Sequence, residues 1–103
     1  MYKLKKERKK RMDILKEHKG FIKNARVITF SNGNYRLMGE AIDHPVYDGT
    51  EVVTSSITEV RIYNCTDLLN RYAIVETLHS RYTVEEPEAI DSFYKFPLPI
   101  SEM

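Results

Sequence analysis

The 103-residue chain has no tryptophan, one cysteine and no long apolar run. A single cysteine, Cys65, excludes an intramolecular disulfide and a zinc site built from cysteines. No stretch approaches the roughly 20 consecutive apolar residues that a membrane-spanning helix needs. The charges that begin at Lys3, with no apolar core behind them, are unlike a secretory signal. At this length we expect one domain over residues 1–103, in the cytoplasm and without membrane association.

Residue types that carry chemistry are scattered along the chain. The glycines form no phosphate-binding loop, and no serine has nucleophile-elbow spacing. His44 lies near Asp43 and Asp48, a set that suits a general base or a metal site. Asx residues around Pro45 are also ordinary turn chemistry, and this structural interpretation is favoured. The sequence therefore predicts no catalytic residues, no metal ligands, no cofactor and no enzyme.

The net charge of +1 hides a strong asymmetry. Residues 1–24 carry ten basic and three acidic side chains, a net charge of +7, and the remaining residues carry −6. Such an arm can attract nucleic acid, pair with the acidic region of a second copy, or simply confer solubility as a solvated helix. The basic residues that are candidates for partner binding are Lys5, Lys6, Arg8, Lys9, Lys10 and Arg11.

The arm has the composition of a helix. Residues 3–19 are rich in Lys, Arg, Glu, Leu and Met and contain no proline. Their apolar stripe is narrow, so we expect loose docking through Met12 and Leu15. Gly20 follows as a natural helix end. This basic helical arm, residues 1–24, is expected to precede the rest of the domain.

From Ala25 the pattern becomes that of strands. Residues 25–30 and 35–42 flank Asn32-Gly33, a strong hairpin signal because both central residues of the favoured turn need positive φ. Gly39 predicts a bulge or bend in the return strand. Residues 50–63 should pair with residues 71–78, with a kink near Ser55-Ser56, and residues 81–84 form a short last strand.

These elements predict an α+β fold: an N-terminal basic helix followed by a curved antiparallel sheet of four to five strands over residues 25–85, as a partly open small barrel. Residues 86–103 form an acidic and apolar tail. Six apolar residues lie between Ile90 and Ile100, more than so small a core is expected to bury. We therefore expect a homodimer in which the tail or the helix packs on the partner.

Aromatic and acidic side chains supply further candidates for partner contact. Tyrosine suits interfaces because it combines area, stiffness and a hydroxyl. Tyrosines on loops and element ends are the better candidates: Tyr47, Tyr63 and Tyr94. The densest acidic cluster supplies Glu85, Glu86 and Glu88.

Two segments carry a resemblance. Residues 39–57 read GEAIDHPVYDGTEVVTSSI, and residues 76–84 read ETLHSRYTV. They resemble a pattern in small uncharacterised phage and prophage proteins: a glycine-containing strand, then HP, then DGxxVxTSxI, and later a threonine-rich turn before a tyrosine strand. The resemblance covers about residues 25–85. It implies a turn, a strand and a corner, and transfers no functional residue.

The resemblance also implies a class of function. Small proteins of mobile elements commonly bind and block a host macromolecule, so we expect an accessory protein that inhibits a host protein or ribonucleoprotein complex, including a defence complex. Steric occlusion steered by charge is the expected mechanism, in which an acidic body can imitate nucleic acid. One alternative is a nucleic-acid-binding accessory protein that uses the basic helix. Another is a virion or assembly factor that self-associates through the tail and tyrosines.

Overall fold

A computed structural model describes residues 17–64 and 71–103. Strands account for 59% of these residues. The described residues form six strands and one short helix. In chain order these are β1 (Glu17–Thr29), β2 (Tyr35–Ile42), β3 (Glu51–Tyr63), β4 (Tyr72–Thr77), β5 (Ser80–Val84), α1 (Pro87–Phe93) and β6 (Ile100–Glu102).

Strands β1 to β5 form an up-and-down meander that closes into a barrel. Consecutive strands pair antiparallel, and β1 pairs with β5 in parallel. The β1–β5 pairing is parallel because strand direction alternates along such a meander, so its first and fifth strands run in the same direction. His18 Nε2 lies 2.7 Å from Thr83 Oγ1 across this seam. Strand β6 adds to β3 in parallel outside the barrel.

The core lies inside the barrel and under α1. Alternate residues of the strands point inward, as the two-residue period of a strand requires. The helix follows the same logic, since Ala89, Ile90 and Phe93 share its buried face. The largest fully buried apolar side chains come from every barrel strand and from the helix: Ile22, Leu37, Val60, Ile62, Val75, Val84, Ile90 and Phe93.

The predicted fold class is wrong. The described chain is mostly β, its five-stranded barrel is closed, and its helix lies at Pro87–Phe93 within the predicted tail. Residues 17–19, expected to end the basic helix, begin β1 because their pairing with β5 completes the barrel. This tertiary pairing overrides a helix propensity of only tenths of a kcal/mol per residue. The rest of that predicted helix, residues 3–16, lies outside the described residues.

Gly20 does not end a helix but lies within β1. Its φ is +99°, and a Cβ there would lie 2.3 Å from the carbonyl oxygen of Ile42. The glycine is therefore required for the close approach of β1 to the end of β2.

Both predicted strand pairings are confirmed. The Asn32-Gly33 turn joins β1 to β2, and β3 pairs antiparallel with β4. The turn differs in detail, because only Gly33 has positive φ. Phe30 accepts a hydrogen bond from Gly33 N–H at 2.9 Å and donates one to Asn34 O at 2.9 Å. These bonds define a three-residue loop with a bulged glycine.

The predicted kink in β3 is also present. The register between β2 and β3 slips between Met38 and Arg36, which places one extra β3 residue between Val53 and Ser56. At this point β3 changes its pairing from β2 to β4. The bend lets one long strand contribute to two parts of the barrel wall.

The tail packs on its own barrel. Ile90 and Phe93 are fully buried, and Leu98 and Ile100 pack against the core. Of the tail's large apolar residues between 90 and 100, Tyr94 is the exposed one. The tail therefore needs no second copy to cover it, and the homodimer, which stays a prediction, requires a different basis.

Candidate partner-binding surfaces

A bulge in β1 anchors the segment that follows β5. Asn24 has a φ of +54°, and the strand register shifts around it. The Glu86 carboxylate accepts hydrogen bonds from the N–H groups of Asn24 (2.8 Å) and Ala25 (2.9 Å). Two successive N–H groups at such a bulge form a natural anion-binding site. Because Glu86 is also the residue before α1, this contact fixes the start of the helix on the barrel.

Two neighbouring clefts share Glu86. The first has a volume of about 400 Å³, and the second about 520 Å³. The first cleft is lined by Phe21, Ile22, Lys23, Ile42, Asp43, Glu85 and Glu86. The second cleft is lined by Asn24, Ala25, Glu86, Pro87, Glu88 and Ala89.

The clefts are acidic. Their lining includes four carboxylates and one lysine. The Glu86 carboxylate is hydrogen-bonded to the β1 backbone. The side chains of Asp43, Glu85 and Glu88 are exposed to solvent. We call these three residues and the two clefts between them the acidic face.

Local structure sets the position of each exposed carboxylate. Asp43 has a φ of +61° just after β2, and its N–H donates to Asp48 Oδ1 at 2.6 Å. Glu85 follows the last residue of β5, and Glu88 lies in the first turn of α1, after Pro87. Between them the apolar Phe21 and Ile42 are half-buried. Carboxylates around an apolar floor suit lysine or arginine side chains, whose alkyl stems pack on apolar surface while their charges stay at the rim.

His44 builds the loop between β2 and β3. Its Nδ1 accepts hydrogen bonds from the N–H groups of Val46 and Tyr47, both at 3.0 Å. The buried ring stacks on Tyr82 at a centroid distance of 6.3 Å. With Pro45 next in sequence, this arrangement resembles a helix N-cap. Because Nδ1 accepts two backbone N–H groups, the His44 side chain caps this turn. The geometry of His44 is therefore explained by the structural interpretation. In residues 17–64 and 71–103, no three His, Cys, Asp or Glu residues are grouped to hold a metal.

The two segments that carry the phage-like pattern meet in space. His79 N–H donates to Ser55 Oγ at 3.3 Å, which joins the β4–β5 turn to β3. Thr54 Oγ1 accepts from Leu37 N–H at 3.1 Å, and Thr77 Oγ1 accepts from Ser80 N–H at 3.1 Å. Each of these polar side chains satisfies a backbone group. Their roles are architectural, in a corner and a turn.

A second exposed surface lies beside the His44 loop. Three large apolar side chains project from it: Val46 is 70% exposed, Tyr47 55% and Val53 46%. Tyr47 and Val53 belong to the lining of a groove of about 320 Å³, which is formed by His44, Tyr47, Thr50, Glu51, Val52, Val53 and Tyr82. We call Val46, Tyr47, Val53 and this groove the loop face.

The three candidate tyrosines do not form one site. Tyr47 belongs to the loop face, whereas Tyr63 lies at the far end of β3 and stacks on Tyr72 at 4.9 Å. Tyr94 is exposed just after α1, where partial desolvation of its hydroxyl and a hydrogen bond with Glu102 raise its pKa. Tyr63 and Tyr94 therefore lie apart from Tyr47.

The remaining candidates divide into three outcomes. Glu85 and Glu88 line the two clefts of the acidic face, and the β1 backbone binds Glu86, which belongs to both clefts. The basic candidates lie outside the described residues: Lys5, Lys6, Arg8, Lys9, Lys10 and Arg11.

Sequence reasoning missed the exposure of Val53, although adjacent valines at 52 and 53 cannot both face the core of a regular strand.

Comparison of the chain with family models, curated proteins and solved structures finds no match. Within the part of the chain that the structure describes, no helix is both long enough and apolar enough to cross a bilayer.

Proposed function

We propose that this protein works by binding a macromolecule, and that its acidic face docks a basic surface of a partner protein. The observation that carries the proposal is the placement of Asp43, Glu85 and Glu88 around two adjoining clefts with an apolar floor. Carboxylates at a rim raise the association rate and select a basic partner, while burial of the apolar floor supplies affinity.

In the setting that the resemblance implies, the partner is a host protein or ribonucleoprotein complex in the cytoplasm. Binding inhibits it by occluding a groove that otherwise holds nucleic acid. What supports this version is charge: the described residues include twelve acidic and eight basic side chains. The alternative, direct nucleic-acid binding, depends on the arm residues that lie outside the described chain.

The test is retention of host proteins from a bacterial lysate on the immobilised protein, with and without nuclease. An acidic-face variant carries Asp43→Asn, Glu85→Gln and Glu88→Gln. Asparagine is chosen at 43 because it tolerates the positive φ. The matched control carries Glu17→Gln, Glu59→Gln and Glu102→Gln, which removes the same number of negative charges outside the acidic face.

We expect the wild type and the control variant to retain the same protein partner after nuclease treatment. The acidic-face variant should retain it about tenfold more weakly, a loss of about 1.4 kcal/mol. Equal retention by both variants would show that the acidic face is not the interface. Retention that disappears with nuclease would favour the nucleic-acid alternative.

A further inference from the structure

Strand β3 pairs with a different barrel strand along each part of its length. Residues 57–63 pair with β4, while residues 51–56 pair with β2. The β4–β5 turn closes the other edge at Ser56, whose carbonyl accepts from Leu78 N–H at 3.0 Å. It also reaches Ser55 Oγ. Before that point, residues 51–53 border the groove of the loop face.

The register shows which backbone groups of β3 face away from β2. Ala41 N–H donates to Thr50 O at 2.8 Å, so residue 50 directs its carbonyl toward β2. In an antiparallel pair, successive residues alternate between facing the partner strand and facing away. Val52 therefore faces β2, and Glu51 and Val53 direct their N–H and C=O groups to the opposite edge of β3. In the described part of the chain, no strand pairs with that edge at these two residues.

The edge is apolar and locally neutral. Val46, Tyr47 and Val53 are exposed beside it. The carboxylate of Glu51, the only ionised side chain in the groove lining, already pairs with Arg26 at 3.3 Å. Natural sheets protect such an edge with charge or cover it. A second copy meets no like-charge repulsion here, whereas the acidic face would repel it.

We propose that two copies of the chain pair through residues 51–53 of β3, antiparallel about a two-fold axis that passes beside Val52. Glu51 of each copy then lies opposite Val53 of the other. Both residues direct their backbone groups outward, so each such pair exchanges two hydrogen bonds. The exposed Tyr47 and Val53 side chains are buried against the second copy.

Charge and the β4–β5 turn exclude the neighbouring registers. An axis at Glu51 places the two Glu51 carboxylates directly opposite each other, which is unfavourable. An axis at Val53 requires pairing at Ser55, where the turn already occupies the edge. The register centred on Val52 is therefore selected. None of these residues lines the two acidic clefts, so the pairing is independent of the proposed function.

The experiment combines light scattering with hydrogen exchange on the full chain. We expect twice the chain mass of 12.1 kDa at high micromolar concentration. Val53→Lys places a charge on the edge and should weaken the dimer at least tenfold, and Tyr47→Ser should weaken it in the same direction. Met103→Lys, at another exposed apolar residue, should leave it unchanged. The Tyr47→Ser variant decides the question if Val53→Lys fails to fold.

Hydrogen exchange reports the strand pairing itself. In the wild-type dimer the amides of Glu51 and Val53 should exchange at least tenfold more slowly than in the Val53→Lys monomer, while the Val52 amide, which faces β2, is slow in both. A wild-type monomer at millimolar concentration would overturn the proposal. So would a dimer that both variants leave intact, or one in which the Glu51 and Val53 amides exchange freely.

Discussion

Glu86 and Ala25, 61 residues apart in the sequence, meet in a 2.9 Å hydrogen bond between the Ala25 N–H and Glu86 Oε1. The same carboxylate binds the neighbouring Asn24 N–H. This contact holds the start of α1 against the barrel, and the exposed Glu85 and Glu88 line the two clefts that share Glu86. The position of the acidic face thus depends on one carboxylate that is not itself available to a partner.

Removal of that carboxylate should destabilise the fold. Glu86→Ala leaves two bulge N–H groups without a protein partner, and a charge-assisted hydrogen bond contributes about 1.5–3 kcal/mol. We expect a loss of about 2 kcal/mol in the free energy of unfolding, measured by urea denaturation. Glu88→Ala, at an exposed residue of the adjacent helix, is the control and should change stability by about 0.5 kcal/mol or less. Equal effects of the two variants would contradict the anchoring role.

The His44 cap should behave like other side-chain caps. His44→Ala removes the acceptor for the Val46 and Tyr47 N–H groups, which should cost about 1–2 kcal/mol of stability. His44→Asn should recover part of the loss because its side-chain oxygen can accept the same bonds. Denaturation and amide exchange at residues 46 and 47 measure both effects. If His44→Asn were as damaging as His44→Ala, stacking on Tyr82 would be the main role of the ring.

Gly39 should be more sensitive to substitution than Gly33. A Cβ at Gly39 would lie 2.5 Å from Ile22 Cγ2 and 2.6 Å from the Lys23 carbonyl oxygen, so β1 must shift. Overpacking of this kind costs about 1–3 kcal/mol. Gly33→Ala meets open space and carries only the strain of a φ of +83°. The melting temperature of Gly39→Ala should therefore be lower than that of Gly33→Ala. The reverse order would contradict the close approach of β1 and β2.

The free energy of unfolding should fall in mild acid, because protonation of His18 is less favourable in the native state than in the unfolded state. Burial, and next the charge of Arg81, lower the pKa of His18 below its ordinary value of 6.5. The native state therefore favours the neutral ring. The contribution of His18 to the free energy of unfolding is fully present above pH 6.5 and decreases as pH falls through the lowered pKa. His18→Gln should flatten the stability curve over this interval. A stability curve that His18→Gln leaves unchanged over this interval would refute the assignment.

Local chemistry made part of the fold predictable. The Asn32-Gly33 turn and the alternation of β3 and β4 are encoded in short stretches, and both were correctly identified. The first half of β1 was not, because its strand pairing with β5 is a long-range contact that helix-forming residues at 17–19 do not reveal. Helix α1 was missed because it is short, although Ala89, Ile90 and Phe93 have helical spacing after Pro87.

The candidate surfaces show the same division. Glu85, Glu88 and Tyr47 could be proposed from charge and residue type, and they are exposed in the structure. The hydrogen bonds between Glu86 and the β1 bulge join residues that are more than 60 positions apart in the sequence. The open edge at Val53 depends on where β4 ends. Neither is visible until the barrel is closed.

The most direct test of the acidic face is amide chemical-shift mapping with the partner protein isolated by the retention experiment. The account predicts shifts at Phe21, Lys23, Ile42, Glu85 and Glu88 that saturate with the partner and diminish in the acidic-face variant. Shifts confined to the loop face around Tyr47 and Val53, or to residues 1–16, would contradict it.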